Sequence, residues 1–159
     1  QTTVYDGSPK ELGSELIANG DFSSGTDSWD STIYSISESG GEMTVVAAGA
    51  SVGHHYAGTK AGSGFSITSG LLYKVSFDFT LNSGTAPRVR IMVNSLSGTQ
   101  RVEIYAEDVI TTGNIVAYFT GTNTETEYLS FFNNTATASN FTIDNVSIKE
   151  VNGNTGQLI

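Results

Sequence analysis

The chain has 159 residues, a length suited to one domain with a core of its own. Its 16 acidic and seven basic residues give a net charge of -9, so nucleic acid and anionic membrane surfaces are not predicted partners. The sequence has no cysteine, which excludes disulfides and thiol catalysis, and no apolar run of membrane-spanning length.

Both ends of the sequence are polar and rich in turn-forming residues. We therefore predict an arm over residues 1–13, a globular domain over residues 14–151 and a tail over residues 152–159. The first ten residues have neither a basic start nor an apolar stretch, so no signal peptide is predicted. The absence of an initial methionine predicts a processed product or a piece of a longer protein.

The globular part opens with the motif Leu16-Ile17-Ala18-Asn19-Gly20-Asp21-Phe22, and Trp29 follows seven residues after it. Short apolar and β-branched runs separated by turn residues come next, a pattern typical of strands. The predicted strands of this first half are Thr32–Ser37, Glu42–Ala47, Val52–Tyr56 and Gly64–Thr68.

The middle of the sequence shows the clearest strand periodicity. Apolar and polar residues alternate without a break over Tyr73–Leu81, which predicts a half-buried strand. The same alternation continues in Arg88–Asn94 and puts Arg88 and Arg90 on the outward side. In Arg101–Ala106 the even positions are predicted to face inward, which turns Tyr105 outward.

The last predicted strands are Ile115–Thr120, Tyr128–Asn133 and Phe141–Val151. Glycine, serine and asparagine clusters separate the strands along the whole chain, and no stretch has helical periodicity. About ten short strands at even spacing predict an all-β sandwich or barrel.

With the strands placed, the opening motif followed by Gly25 and Trp29 resembles the start of carbohydrate-binding modules of the xylanase and cellulase type. The strand Leu72–Asp78 and the closing segment Phe141–Ile148 stand where that family places its own strands. The family is built as a β-jelly-roll. The resemblance therefore implies a two-sheet antiparallel β-sandwich whose first and last strands meet.

The closing Val146-Ser147-Ile148-Lys149-Glu150-Val151, taken with the same opening, also resembles modules of bacteriophage tail-fibre, tailspike and head-decoration proteins. The resemblance implies a non-catalytic module that binds a surface glycan, on a virion surface or in another extracellular place, with other virion proteins as further partners. Two alternatives stay open: a decoration or spacer domain without a ligand, and an accessory module of a secreted polysaccharide-degrading enzyme.

The resemblance also implies a structural calcium ion between the first turn and the closing strand. Its usual ligands are an acidic residue just after the phenylalanine and the aspartate of the closing strand. Asp144 matches the second ligand, whereas Ser23 stands at the first position and leaves Asp21 as the replacement. The alternative is that Asp21 and Asp144 accept hydrogen bonds from backbone donors.

Aromatic and planar side chains on the polar side of a strand are the natural partners for a sugar, whose ring faces are apolar. These are Tyr34, Tyr56, Tyr105, Arg88 and Arg90. The alternative is a solvated strand face with extended arginines. Trp29 could stack on a sugar if it were exposed, but its place after the opening motif matches a core tryptophan of the resembled family, so the resemblance implies a core position.

The segment Gly49-Ala50-Ser51-Val52-Gly53 matches the G-x-S-x-G pattern of serine hydrolases. That chemistry needs a strand, a sharp turn and a helix, followed later by an acid and a histidine. Here a strand is predicted to follow, and the two histidines come directly after the segment. We therefore predict that the chain is not an enzyme.

Overall fold

The structure is a computed structural model and describes residues 11–47, 55–95, 99–106, 108–122, 124–133 and 138–152. The described residues form strands and turns, and they include no helix that could cross a membrane. In chain order the strands are β1 (Glu11–Glu15), β2 (Trp29–Thr32), β3 (Ser35–Ser39), β4 (Glu42–Ala47), β5 (His55–Thr59), β6 (Phe65–Ser66), β7 (Leu72–Gly84), β8 (Arg88–Val93), β9 (Thr99–Tyr105), β10 (Gly113–Thr120), β11 (Thr126–Asn133) and β12 (Ser139–Asn152).

The strands form two six-stranded antiparallel sheets that pack face to face. Sheet A has the order β10-β7-β12-β4-β3, with β1 beside the end of β12. Sheet B has the order β2-β5-β11-β8-β9, with β6 beside the start of β11. The predicted fold class, an antiparallel two-sheet sandwich of the jelly-roll type, is confirmed.

The first and last strands lie side by side, as the two end motifs predict. Leu12 pairs with Val151 and Glu15 pairs with Lys149. Glu11, the first described residue, already belongs to sheet A, so the arm predicted for residues 1–13 includes at least three residues of the sheet.

Alternation along β7 and β12 builds one wall of the core. In β7, Tyr73, Val75, Phe77 and Phe79 are buried, and the polar residues between them face outward. A strand with this alternation can bury only one face, so the sheet must pack against a second apolar surface.

Aromatic rings join the two sheets. Phe77 of sheet A meets Phe131 of sheet B edge to face, with ring centroids 5.3 Å apart. Phe131 also lies 6.0 Å from Phe141 of β12, and all three rings are fully buried. Truncating such a ring to alanine typically costs about 3–5 kcal/mol, so this cluster is a main source of stability.

The single strand predicted over Thr32–Ser37 is wrong, because the chain changes sheets there. Ile33 has a φ of 70°, a left-handed conformation that ends β2 in sheet B. The chain then enters β3 in sheet A two residues later. The G-x-S-x-G segment, Gly49 to Gly53, and most of the strand predicted over Val52–Tyr56 lie outside the described residues.

Glu127 of β11 is an ionisable side chain placed in the interior. It has no solvent exposure, and its two carboxylate oxygens have no hydrogen-bond partner among the described residues. Burial raises the pKa of Glu127 to about 7; Arg101 opposes this rise and Glu125 adds to it. The folded protein therefore favours the protonated form of this carboxyl group.

This burial predicts a specific pH dependence of stability. Between the ordinary pKa of 4.5 and about 7, the folded state holds the Glu127 proton and the unfolded state releases it. The free energy of unfolding should fall as pH rises through this window and level off above it. We expect Glu127→Gln to abolish that fall and to stabilise the protein at pH 8 by about 1–2 kcal/mol.

Denaturant unfolding at pH 5 and pH 8 measures the effect, with Glu42→Gln, a change at an exposed glutamate of β4, as the control. Equal pH dependence in the wild type and in Glu127→Gln would contradict the prediction.

Candidate functional site

Tyr56, Arg88 and Arg90 share the outer face of sheet B. Val89 points into the core with no exposure, and side chains alternate along a strand, so its neighbours Arg88 and Arg90 point outward. The buried Ala57 places Tyr56 on the same outer side of β5 in the same way. The sequence prediction of the position of these three residues is therefore confirmed.

The register of β11 brings these side chains together. Phe132 pairs with Tyr56 on one side and with Arg88 on the other. The rings of Tyr56 and Phe132 have centroids 4.9 Å apart, and the Arg90 guanidinium carbon lies 4.1 Å from the centroid of Phe132. We call Tyr56, Arg88, Arg90, Glu103 and Phe132 the arginine–aromatic face.

Glu103 holds both guanidinium groups from the neighbouring strand β9. Its Oε2 accepts hydrogen bonds from Arg88 Nη1 at 3.1 Å, from Arg90 Nε at 3.2 Å and from Arg90 Nη2 at 3.1 Å. The Arg90 side chain is only 13% exposed, so this network is better shielded from water than an ordinary surface ion pair. Burial raises the pKa of the nearby Tyr56 hydroxyl, and the charge of Arg90 opposes that rise.

A row of register partners crosses sheet B beside the two rings. It runs from Asp30 through Gly58 and Ser130 to Arg90. Ser130 has no exposure, and its Oγ has no hydrogen-bond partner among the described residues. A buried hydroxyl of this kind is a natural partner for a ligand hydroxyl or a water molecule.

The structure places Tyr34 in the core instead of on the outer face. It is 5% exposed, packs edge to face on Phe141 at 6.1 Å, and donates its hydroxyl proton to Asn133 Oδ1 at 2.5 Å. The predicted outward position is wrong because the sheet change at Ile33 reverses the alternation expected for this segment.

Tyr105 is also turned away from the outer face. Register shifts in the pairing of β8 with β9 place Tyr105 opposite the inward Val89, and its hydroxyl donates to the backbone carbonyl of Val116 at 3.1 Å. The extra residue of a bulge reverses which side chains point outward. Tyr105 therefore joins the open edges of the two sheets and does not offer a ring to a ligand on the arginine–aromatic face.

Sequence reasoning missed Phe132, Glu103 and Ser130. The segment Tyr128–Asn133 is buried on both sides, so its alternation gives no outward direction. Glu103 has the strand position expected of an outward residue, but its role depends on its distance from two arginines.

The two end motifs meet at what we call the terminal seam, formed by Glu15, Asn19, Gly20, Val146 and Ser147. The backbone N–H of Val146 donates to the Gly20 carbonyl at 2.8 Å. The Asn19 side chain donates to the carbonyls of Gly25 and Asp27, at 2.9 and 2.7 Å, and holds the turn that follows.

The turn held by Asn19 carries the side chains of Phe22 and Trp29 into the core. Their ring centroids are 5.1 Å apart, and Trp29 is 3% exposed. The Trp29 indole N–H donates to the Asn19 carbonyl at 2.9 Å. The prediction of a core position for Trp29 is confirmed.

Glu15 connects the two motifs through its carboxylate. Its Oε1 accepts hydrogen bonds from the backbone N–H groups of Leu16, Ile17 and Ile148, at 3.1, 3.0 and 2.9 Å. Its Oε2 accepts from the Ser147 hydroxyl at 2.6 Å. Hydrogen bonds to a charged acceptor are stronger than neutral ones, so Glu15 stabilises the approach of the first strand to the last.

Asp21 and Asp144, the predicted calcium ligands, are both engaged in local hydrogen bonds. Asp21 Oδ1 accepts from the backbone N–H and the hydroxyl of Ser23, and the backbone bond holds the pKa of Asp21 below its usual value. Asp144 accepts from the backbone and side-chain N–H groups of Asn145.

The carboxylates around the terminal seam are too few to hold a calcium ion by themselves. Calcium takes six to eight oxygen ligands. In the part of the chain that the structure describes, no three His, Asp or Glu side chains lie close enough together to hold a metal. An open pocket of about 380 Å³ lies at the seam, but its lining includes Lys149, whose Nζ is 3.8 Å from the Glu15 carboxylate. Calcium binding therefore stays a prediction.

The fold is similar to that of solved carbohydrate-binding modules. A CBM4 structure superposes with a TM-score of 0.65 at 16% identity, covering 81% of this chain and 99% of the other. The N-terminal cellulose-binding domain of Cellulomonas fimi β-1,4-glucanase C gives a TM-score of 0.64 at 17% identity, covering 86% and 97% of the two chains.

A bacteriophage protein has a similar part. The enzymatically active domain of bacteriophage CBA120 tailspike protein 4 superposes with a TM-score of 0.57 at 11% identity, covering 86% of this chain and 21% of that one. No protein-family model matches the sequence, and no curated protein matches it. At these identities the structural similarities establish the fold.

The terminal seam predicts that Gly20 tolerates no side chain. A Cβ at this position would lie 1.9 Å from the Val146 carbonyl oxygen. We expect Gly20→Ala to lower the free energy of unfolding by about 3 kcal/mol, because two backbone segments must separate to admit the methyl group.

Denaturant unfolding measures this cost. Gly40→Ala is the matched control, since Gly40 has a φ of 67° but nothing within 4 Å of an added Cβ. The control should lose only about 1 kcal/mol from its left-handed backbone. Equal losses in the two variants would show that the seam contact is unimportant.

The calcium prediction is tested separately by thermal melting with and without chelator. A structural ion held by Asp21 and Asp144 would make EDTA lower the melting temperature, and added calcium would restore it. Asp144→Asn should then remove the response. An unchanged melting temperature in EDTA would overturn the prediction.

Proposed function

We propose that the protein is a non-catalytic glycan-binding module whose ligand lies on the arginine–aromatic face. The observation that carries the proposal is the grouping of the Tyr56 and Phe132 rings with two arginines on the outer face of one sheet. Aromatic rings match the apolar faces of a sugar, and guanidinium groups donate to its hydroxyls. The similarity of the fold to that of carbohydrate-binding modules supports the proposal.

Ser130 is a buried polar residue beneath this face. It lies between Gly58 and Arg90 in the row across sheet B, and its buried hydroxyl has no partner among the described residues. Gly58 and Ser130, the two central residues of this row, are small, so the neighbouring rings of Tyr56 and Phe132 project further from the sheet. Ser130 has no solvent exposure, so a ligand hydroxyl reaches it only when the neighbouring side chains move; such a contact would satisfy a buried polar group.

Two biological locations are compatible with such a module, and each is supported by one of the similar structures. The tailspike similarity supports a place on a virion surface, where the partners would be a host surface glycan and other virion proteins. The cellulose-binding domain supports an extracellular accessory module of a polysaccharide-degrading enzyme. In either setting a weak single site gains strength when several copies act together. The neighbours of this domain in its full-length protein decide between the two.

The proposal predicts that Tyr56→Ala weakens glycan binding at least tenfold. A stacked aromatic contact contributes about 0.5–1.5 kcal/mol beyond the apolar area that it buries, and a total of 1.4 kcal/mol is a factor of ten in affinity. A glycan array with the wild-type protein identifies the ligand, and titration calorimetry then compares the variants.

Tyr118→Ala is the matched control for Tyr56→Ala. Tyr118 is 58% exposed and lies on β10 of sheet A, so its loss should leave the affinity unchanged. Absence of binding to every glycan on the array would overturn the proposal and favour a decoration or spacer domain without a ligand. Equal losses in the two variants would show that the arginine–aromatic face is not the site.

A further inference from the structure

Asn19 and Gly20 of the terminal seam form an Asn-Gly dipeptide whose side-chain amide is fully engaged. Asn19 Nδ2 donates to the backbone carbonyls of Gly25 and Asp27, at 2.9 and 2.7 Å, and Oδ1 accepts the backbone N–H of Ser24 at 3.0 Å. Both N–H groups and the oxygen of the amide therefore have partners in the turn that follows. An amide held by three hydrogen bonds keeps one orientation.

The backbone of the dipeptide is fixed as well. Asn19 has a φ of 52°, a left-handed conformation that asparagine tolerates better than most residues, and its carbonyl accepts the Trp29 indole N–H at 2.9 Å. The Gly20 carbonyl accepts the Val146 N–H at 2.8 Å, and a Cβ on Gly20 would lie 1.9 Å from the Val146 oxygen. Rotation of the peptide group between Asn19 and Gly20 therefore requires the seam to open.

The dipeptide carries its own reactive pair. The backbone nitrogen that follows an asparagine can attack the side-chain amide carbon, and glycine, with no Cβ, hinders that approach least. Here the Gly20 nitrogen would bond to Asn19 Cγ and lose its proton, while the Cγ–Nδ2 bond breaks and ammonia leaves with that proton. Water then opens the cyclic imide at either carbonyl and leaves an aspartate or an isoaspartate at position 19.

We propose that Asn19-Gly20 is a self-modification site that the terminal seam protects, so that Asn19 loses its amide only when the two end motifs separate. In the closed seam, ring closure would break three side-chain hydrogen bonds and move Gly20 against Val146. The reaction therefore proceeds from the open state, and its rate follows the population of that state.

The modified seam cannot close again in the same form. A carboxylate at position 19 has no N–H to donate, so the Gly25 and Asp27 carbonyls lose their partners and face a negative charge. An isoaspartate also inserts a methylene group into the backbone beside Val146, where even a Cβ on Gly20 has no room. One opening of the seam followed by ring closure thus permanently loosens the contact between β1 and β12.

Glu15 is the residue through which the opening of the seam can be changed without altering the dipeptide. Its carboxylate accepts hydrogen bonds from the Ile148 backbone N–H and the Ser147 hydroxyl of the last strand. Glu15→Gln weakens these hydrogen bonds by removing the charge of the acceptor, so the seam should open more often. Glu42→Gln is the matched control, since it makes the same change at an exposed glutamate of β4.

Incubation at pH 8 followed by peptide mass spectrometry measures the conversion of the Asn19 amide to an acid. The rate should be roughly tenfold or more higher in urea-unfolded protein than in folded protein, and Glu15→Gln should raise the folded-state rate roughly threefold or more. Glu42→Gln should match the wild type. If circular dichroism shows that Glu15→Gln does not fold, Ser147→Ala, which removes one hydrogen bond to Glu15, replaces it with a smaller expected increase.

Asn19→Asp tests whether the modification is permanent in its effect. This variant should melt about 4 °C or more below the wild type, because two carbonyls lose their donors. Asn94→Asp is the matched control, an exposed asparagine with a φ of 70°, and it should melt with the wild type. Equal rates at Asn19 in folded and unfolded protein, or equal melting of the two aspartate variants, would overturn the inference.

Discussion

The contact between Gly20 and Val146 is the constraint on which the rest of the structure depends. The two backbones approach so closely that one carbonyl accepts the other segment's N–H at 2.8 Å, and a single Cβ would lie 1.9 Å from the opposing oxygen. This contact fixes the turn that carries Phe22 and Trp29 into the core. It also sets β1 beside β12, the strand around which sheet A is built. The first and last strands of the sandwich therefore pair through contacts between the two end motifs.

The two outer faces of the closed sandwich have different chemistry. On sheet A, Thr80, Thr142 and Thr44 are register partners across three strands, so the middle of this face carries a row of short neutral side chains. On sheet B the corresponding positions hold long or planar groups, among them Tyr56 and Arg90. A fold shared with proteins at 16–17% identity positions both faces, and the side chains alone distinguish the face of the proposed ligand site from the other.

How far the sequence predicts the structure depends on the regularity of each strand. The alternation in β7 and β8 is unbroken, so it predicts the core and the outward positions of Arg88 and Arg90. Prediction fails where one residue departs from regular strand geometry. The left-handed backbone conformation of Ile33 directs the Tyr34 side chain into the core. No sequence propensity predicts this conformation for an isoleucine. Phe132 was missed because burial on both sides of β11 removes the alternation.

One of the two register shifts between β8 and β9, the one between Val89 and Arg90, links the stability of the sandwich to its candidate site. Val89 faces Tyr105 whereas the next residue, Arg90, faces Glu103, so one residue of β9 is left over between the two pairs. In a regular strand, residues two apart point to the same side of the sheet. Tyr105 and Glu103 would then share one side, and Ile104 between them would point to the other. The extra residue sends Tyr105 inward, where it binds the Val116 carbonyl on the edge of sheet A, and leaves Glu103 outward between two arginines. A single insertion thus closes one edge of the fold and supplies the carboxylate that organises the arginine–aromatic face.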